Sequence, residues 1–97
     1  MKPIRVRREA KAEIRDSAGY YATQGERLAG EFTEAIAVAF KAIQKFPEHN
    51  SRGPGGTRHF LMKRFPFAIY YLDEEEAISI VAVAHTKRRP GYWTDRL

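Results

Sequence analysis

The sequence predicts an α+β fold in the order β-α-α-β-β-β, with a helical hairpin packed on a small, mainly antiparallel sheet. Three observations carry that prediction. A short alternating stretch opens the chain, two segments with helical period follow almost without a gap, and three runs of strand composition come last. A length of 97 residues suits one compact unit, so a single domain over residues 1–97 is expected.

In "PIRVRR", Ile4 and Val6 fall on one side and Arg5 and Arg7 on the other, as in a short half-buried strand. From Arg8 the period changes. Ile14, Ala18, Tyr21 and Ala22 recur every three or four residues among Ala, Glu, Lys and Arg, which predicts a helix to about Gln24, stopped at Gly25. Tyr20 and Tyr21 are adjacent and cannot share a helix face, so one is core and the other rim. Leu28, Phe32, Ile36, Phe40 and Ile43 then draw one continuous stripe on a second helix, which Pro47 ends because it has no amide hydrogen and clashes with the preceding turn. A link of only a few residues makes the helices an antiparallel hairpin. The stripe has the pattern of a face packed on a sheet; a groove for a partner helix is the less ordinary reading.

"PEHNSRGPGG" reads as a loop. "RHFLMKRF", "FAIYYL" and "AISIVAVA" have strand composition and are split by Pro66 and by the acidic turn at 73–76. Short connections favour an antiparallel meander. In the first of these runs Arg58, Phe60, Met62 and Arg64 alternate with His59, Leu61, Lys63 and Phe65, so neither face is cleanly apolar and an exposed edge is expected. The last run is apolar on both faces and is expected to be central and covered.

Composition narrows function. Lys and Arg number 17 against 12 Asp and Glu, a formal charge of +5, which favours nucleic acid, acidic proteins or anionic surfaces as partners. The chain has no cysteine, which excludes disulfides, thiolate metal sites and a cysteine nucleophile. The opening "MKPIRVRREAKAEIR" has no apolar stretch of signal-peptide length, and no run approaches a membrane span. A cytoplasmic protein without a membrane partner is expected. His49, His59 and His85 lack the spacing and neighbours of a metal site, no serine lies in a nucleophile motif, and "GPGG" lacks the following Lys-Ser or Lys-Thr of a phosphate loop. Neither metal nor cofactor is expected.

The cations are grouped. Arg58, Lys63 and Arg64 suit either protection of a sheet edge or binding of anions. The closing "AHTKRRPGYWTDRL" packs His85, Lys87, Arg88, Arg89, Tyr92, Trp93 and Arg96 into one short segment. His85 has two readings, a histidine capping the strand end or a general base for RNA cleavage. No acid partner for it is visible, which favours the cap.

The order of elements, together with "EAKAEIRDSAGYYA", "FTEAIAVAFKAIQKFP", "RHFLMKRFPFAIYY" and "ISIVAVAHTKRRPGYWTDR", resembles the ParE branch of the RelE/ParE toxin superfamily over nearly the whole chain. The resemblance implies the toxin of a bacterial type II toxin–antitoxin module, of the kind linked to plasmid stabilisation. A ParE-like member is expected to inhibit DNA gyrase by binding it, and to be neutralised by a cognate antitoxin whose tail wraps the helical hairpin and sheet edge. The alternative the resemblance carries is a RelE-like, ribosome-dependent mRNA endonuclease. Many nucleases of that branch have arginine where this chain has Ala68, and "FAIYYL" has no charge. His85, Tyr92, Arg58, Arg64 and Arg88 would then be the catalytic set. As a binder, the chain is expected to use Arg58, Lys63, Arg64, Lys87, Arg88, Arg89, Tyr92, Trp93 and Arg96, with Tyr92 and Trp93 folded back so that the neighbouring cations stand on a fixed tail.

Overall fold

The computed structural model describes all of residues 1–97. Strand β1 (Ile4–Val6) leads into helices α1 (Arg8–Gln24) and α2 (Glu26–Lys45), followed by β2 (Ser51–Arg52), β3 (Arg58–Leu61), β4 (Phe67–Asp73) and β5 (Ile78–His85). One residue joins the helices: Gly25 ends α1 and begins α2, with its amide donating back to the Tyr21 and Ala22 carbonyls. Its φ of 147° is closed to most side chains, which is why glycine stands there.

The five strands form one sheet in the order β1-β5-β4-β3-β2, antiparallel throughout except for the parallel pair β1 and β5. The helices cover one face. Phe32, Ile36, Ala39 and Ile43 of α2 and Ala10 of α1 are buried there. They meet Phe67, Ile69 and Tyr71 of β4 and Ile78, Ile80 and Val83 of β5. The α2 stripe therefore packs on the sheet. Tyr21 joins this core, its ring 5.1 Å from those of both Phe32 and Phe65, while Tyr20 stays exposed. The buried Tyr71 hydroxyl donates to the Pro47 carbonyl at 2.6 Å and accepts from Asn50 at 3.0 Å. Those bonds fasten the loop after α2 and leave the buried phenol satisfied.

Two expectations about the sheet are corrected. The predicted loop contains β2, which pairs Ser51 with His59 and Arg52 with Arg58, so the first half of β3 is not an edge. The turn that permits this is closed by the Gly53 amide on the Thr57 carbonyl at 2.8 Å. Secondly, the alternation expected over residues 58–65 stops at Leu61. Met62 and Phe65 both turn into the helix-side core, because the chain must reverse before Pro66 and the Met62 amide closes on the Phe67 carbonyl. Arg64 consequently leaves the sheet surface.

β5 lies between β1 and β4 and is buried over seven of its eight residues, as its two-sided apolar composition requires. It also carries a bulge. Tyr70 pairs with Ala82 and Tyr71 with Ile80, so Val81 has no partner on β4. The extra residue shifts the alternation: Ile78, Ile80 and Val83 face the helices, while Val81, Ala82 and Ala84 face the opposite side. That second face is covered by the C-terminal segment, whose Trp93 ring lies 4.3 Å from Tyr70 and is 1% exposed.

Candidate functional site

What holds the C-terminal segment in place is a carboxylate on α1. Glu13 lies three residues after the buried Ala10, on the inward side of the helix. β1 ends beside Ile80, with the Arg7 amide donating to the Ile80 carbonyl, so β5 continues beyond its neighbour. The bulge then turns the Val83 amide toward the space where β1 has stopped. Glu13 Oε1 accepts that amide at 2.9 Å. The same carboxylate takes both guanidinium nitrogens of Arg96 at 3.0 Å each and the hydroxyl of Tyr92. Arg96 also donates to the Val81 carbonyl at 3.2 Å. Glu13 and Arg96 together thus satisfy the open edge of β5 where no strand lies.

The tail is tied at further points. Arg7 donates to the Arg96 carbonyl at 2.7 Å and to Ser79 Oγ at 2.9 Å. The Arg88 guanidinium sits 3.6 Å above the Tyr92 ring and 3.6 Å from Glu13 Oε2. Burial pushes the Tyr92 phenol well above its ordinary value, and the Glu13 carboxylate pushes it further. Its hydrogen bond to Glu13 likewise raises Arg96, against the effect of burial. At neutral pH Tyr92 is a neutral donor and Arg96 a cation.

The expected binding residues therefore divide. Lys87, Arg88 and Arg89 are exposed on the tail. Trp93 is folded back and buried against Tyr70, whereas Arg96, expected among the displayed cations, is turned inward by Glu13. Arg58 is half-buried, with its guanidinium on the Asn50 carbonyl at 2.8 Å. Arg64 pairs with Glu31 of α2 at 2.9 Å, and that hydrogen bond holds the Glu31 carboxyl below its ordinary value. Lys63 is exposed beside it. His85 accepts the Lys87 amide at Nδ1 (3.1 Å), which places a neutral ring's proton on Nε2, and its carbonyl accepts the Arg88 amide. It caps the strand end. Of the five residues proposed for catalysis, His85, Arg88 and Tyr92 line one cleft on the outer sheet face, whereas Arg58 and Arg64 do not.

A second surface lies at the other end of the sheet. Ala35, Val38 and Ala39 of α2 face Phe60 and Met62 across an open groove of about 680 Å³, rimmed by Arg27, Glu31, Lys63 and Arg64. Val38 is 58% exposed within it. The sequence reading missed this groove, and it missed Glu13. The signal for Glu13 was a charged residue on the buried side of an otherwise apolar helix face.

This arrangement, a helical hairpin on a mixed sheet with its last segment strapped across the far face, is shared with a solved structure. That structure, described as "Chromosomal ParDE TA system from P. aeruginosa", matches it with a TM-score of 0.78 and 21% identity, over 90% of this chain and 98% of that one. No curated protein matches the sequence. The family model for the ParE toxin of the type II toxin–antitoxin system parDE matches residues 4–90. The chain belongs to the ParE toxin family of type II toxin–antitoxin systems.

Proposed function

We propose that this toxin acts in the cytoplasm by binding DNA gyrase and inhibiting it without covalent chemistry, and that a cognate antitoxin neutralises it. The observation that carries the reading is that the catalytic set is incomplete and engaged: His85, Arg88 and Tyr92 share a cleft, but Arg58 and Arg64 lie outside it. Arg58 and Arg64 are engaged elsewhere, Tyr92 is committed to Glu13, and His85 holds a turn. General acid–base catalysis needs such groups free and within reach of one reacting centre. A rigid tail with Lys87 and Arg89 outward suits recognition of an acidic surface instead. The groove between α2 and β3 suits the antitoxin. Its apolar floor takes the apolar face of an inserted segment, and Lys63 and Arg27 on the rim match acidic residues beside it.

The test is induction of the chain in cells lacking the antitoxin. Growth arrest with a DNA-damage response and gyrase-linked breaks, retained in His85→Ala, is the expected outcome. Cleaved transcripts that disappear in His85→Ala would replace this reading with the mRNA endonuclease.

A further inference from the structure

Helix α2 has a second ordered face, opposite the stripe it buries. Phe32, Ile36, Ala39 and Ile43 point into the core. At about 100° per residue, Glu31, Glu34, Val38, Lys41 and Lys45 fall within a sector of about 80° on the other side of the helix. Along the axis they run as two acids, the exposed Val38, then two bases. Nothing within the chain uses that order. Glu34, Lys41 and Lys45 make no ion pair. No base lies three or four residues from Glu34 and no acid so spaced from Lys41, so neither can pair along the helix. Both stand a full turn or more from the helix ends, where the helix dipole no longer favours either sign.

We infer that two copies of this chain pair through this face, their α2 helices antiparallel about a twofold axis at Val38. Turning the helix end for end makes the charge order complementary to itself. Glu34 lies four residues before Val38 and Lys41 three after it, so a rise of about 1.5 Å per residue brings them level within about 1.5 Å across the axis. Glu31, already paired with Arg64, and Lys45 are each seven residues from Val38 and come level as well. A parallel pair would set Glu34 against Glu34, and a partner of one charge would repel half of the stripe. A second, antiparallel copy satisfies both halves around a contact between the two Val38 side chains. One polar helix face is a small interface, so the association is weak and reversible. The inference does not rest on the gyrase reading. Val38 also lines the α2–β3 groove, so where the antitoxin takes that groove the pair must part first; that consequence alone rests on the antitoxin reading.

The experiment is sedimentation equilibrium of the purified full chain alone, from about 10 µM to 1 mM. The mass rises from one copy toward two. Glu34→Lys and Lys41→Glu each set like charges against one another at two symmetry-related places and weaken the association about tenfold. Both positions are exposed, so the circular dichroism of each variant matches the parent's. The double variant Glu34→Lys, Lys41→Glu keeps the net charge and restores the parent's affinity, and a mixture of the two single variants associates more tightly than either alone. A monomer at every concentration, a dimer indifferent to the single reversals, or a double variant no tighter than the singles overturns the inference. Because neither antitoxin nor gyrase is in the assay, failure here leaves the proposed function standing.

Discussion

Glu13 is the residue on which the shape of the C-terminal half depends. Its carboxylate accepts a backbone amide, both arms of a guanidinium and a phenol. Removing the charge leaves a largely buried Arg96 without its counterion, which costs more than an exposed ion pair contributes. Glu13→Gln is expected to destabilise the fold by about 2 kcal/mol, a fall in Tm of roughly 10 °C. In thermal melts the double variant Glu13→Gln, Arg96→Gln loses clearly less than the sum of the single losses, because both remove one interaction. Additive losses would show that the two side chains act independently. Tyr92 makes a separate prediction at alkaline pH. Its folded-state pKa is raised, so its contribution is fully present below the unfolded value of about 10 and declines as pH rises beyond that, where the unfolded chain ionises first. Tyr21 and Tyr71 are raised as well, so the comparison with Tyr92→Phe isolates the one residue. Denaturation midpoints measured between about pH 8 and 11 fall less in Tyr92→Phe than in the parent. Apart from the charge on the apolar side of α1, little of this was legible beforehand: the sequence shows the tail's cations and aromatics, but not that a single acid on α1 gathers three of them.

Among the elements, the helices were the most legible, since a stripe at 28, 32, 36, 40 and 43 has one period and one packing solution. Their junction was readable too. Gly25→Ala places a Cβ in open space, so its cost is backbone strain alone, about 1–2 kcal/mol. Chemical denaturation measures it, and a neutral result would mean that the hairpin adjusts to a different turn. The sheet was legible only in outline. β2 is two residues without apolar signal, held by a turn rather than by propensity. The β5 bulge leaves no trace in "AISIVAVA", because a run apolar on both sides hides a shift of register. The α2–β3 groove was equally invisible, since its walls come from segments more than twenty residues apart. Val38 is exposed there, so Val38→Arg leaves the toxin's own stability nearly unchanged and weakens antitoxin binding by tenfold or more in a calorimetric titration. Unaltered affinity would move the antitoxin to another surface.

At the scale of the whole molecule, the proposed reading separates two jobs. The apolar groove opens between α2 and β3, and the free cations stand on the tail across the far face of the sheet. On the proposed reading, one face takes a neutralising partner while the other displays charge to a target. The net charge of +5 announced an anionic or acidic partner but left its kind undecided. The proposed reading rests on Arg58 and Arg64 lying away from the cleft that holds His85, Arg88 and Tyr92. The most direct test is a supercoiling assay with purified bacterial gyrase and plasmid DNA. Added toxin is expected to stop supercoiling in proportion to its amount and to leave transcripts on ribosomes uncut. Undisturbed gyrase, together with ribosome-dependent cutting that requires His85, would contradict the account.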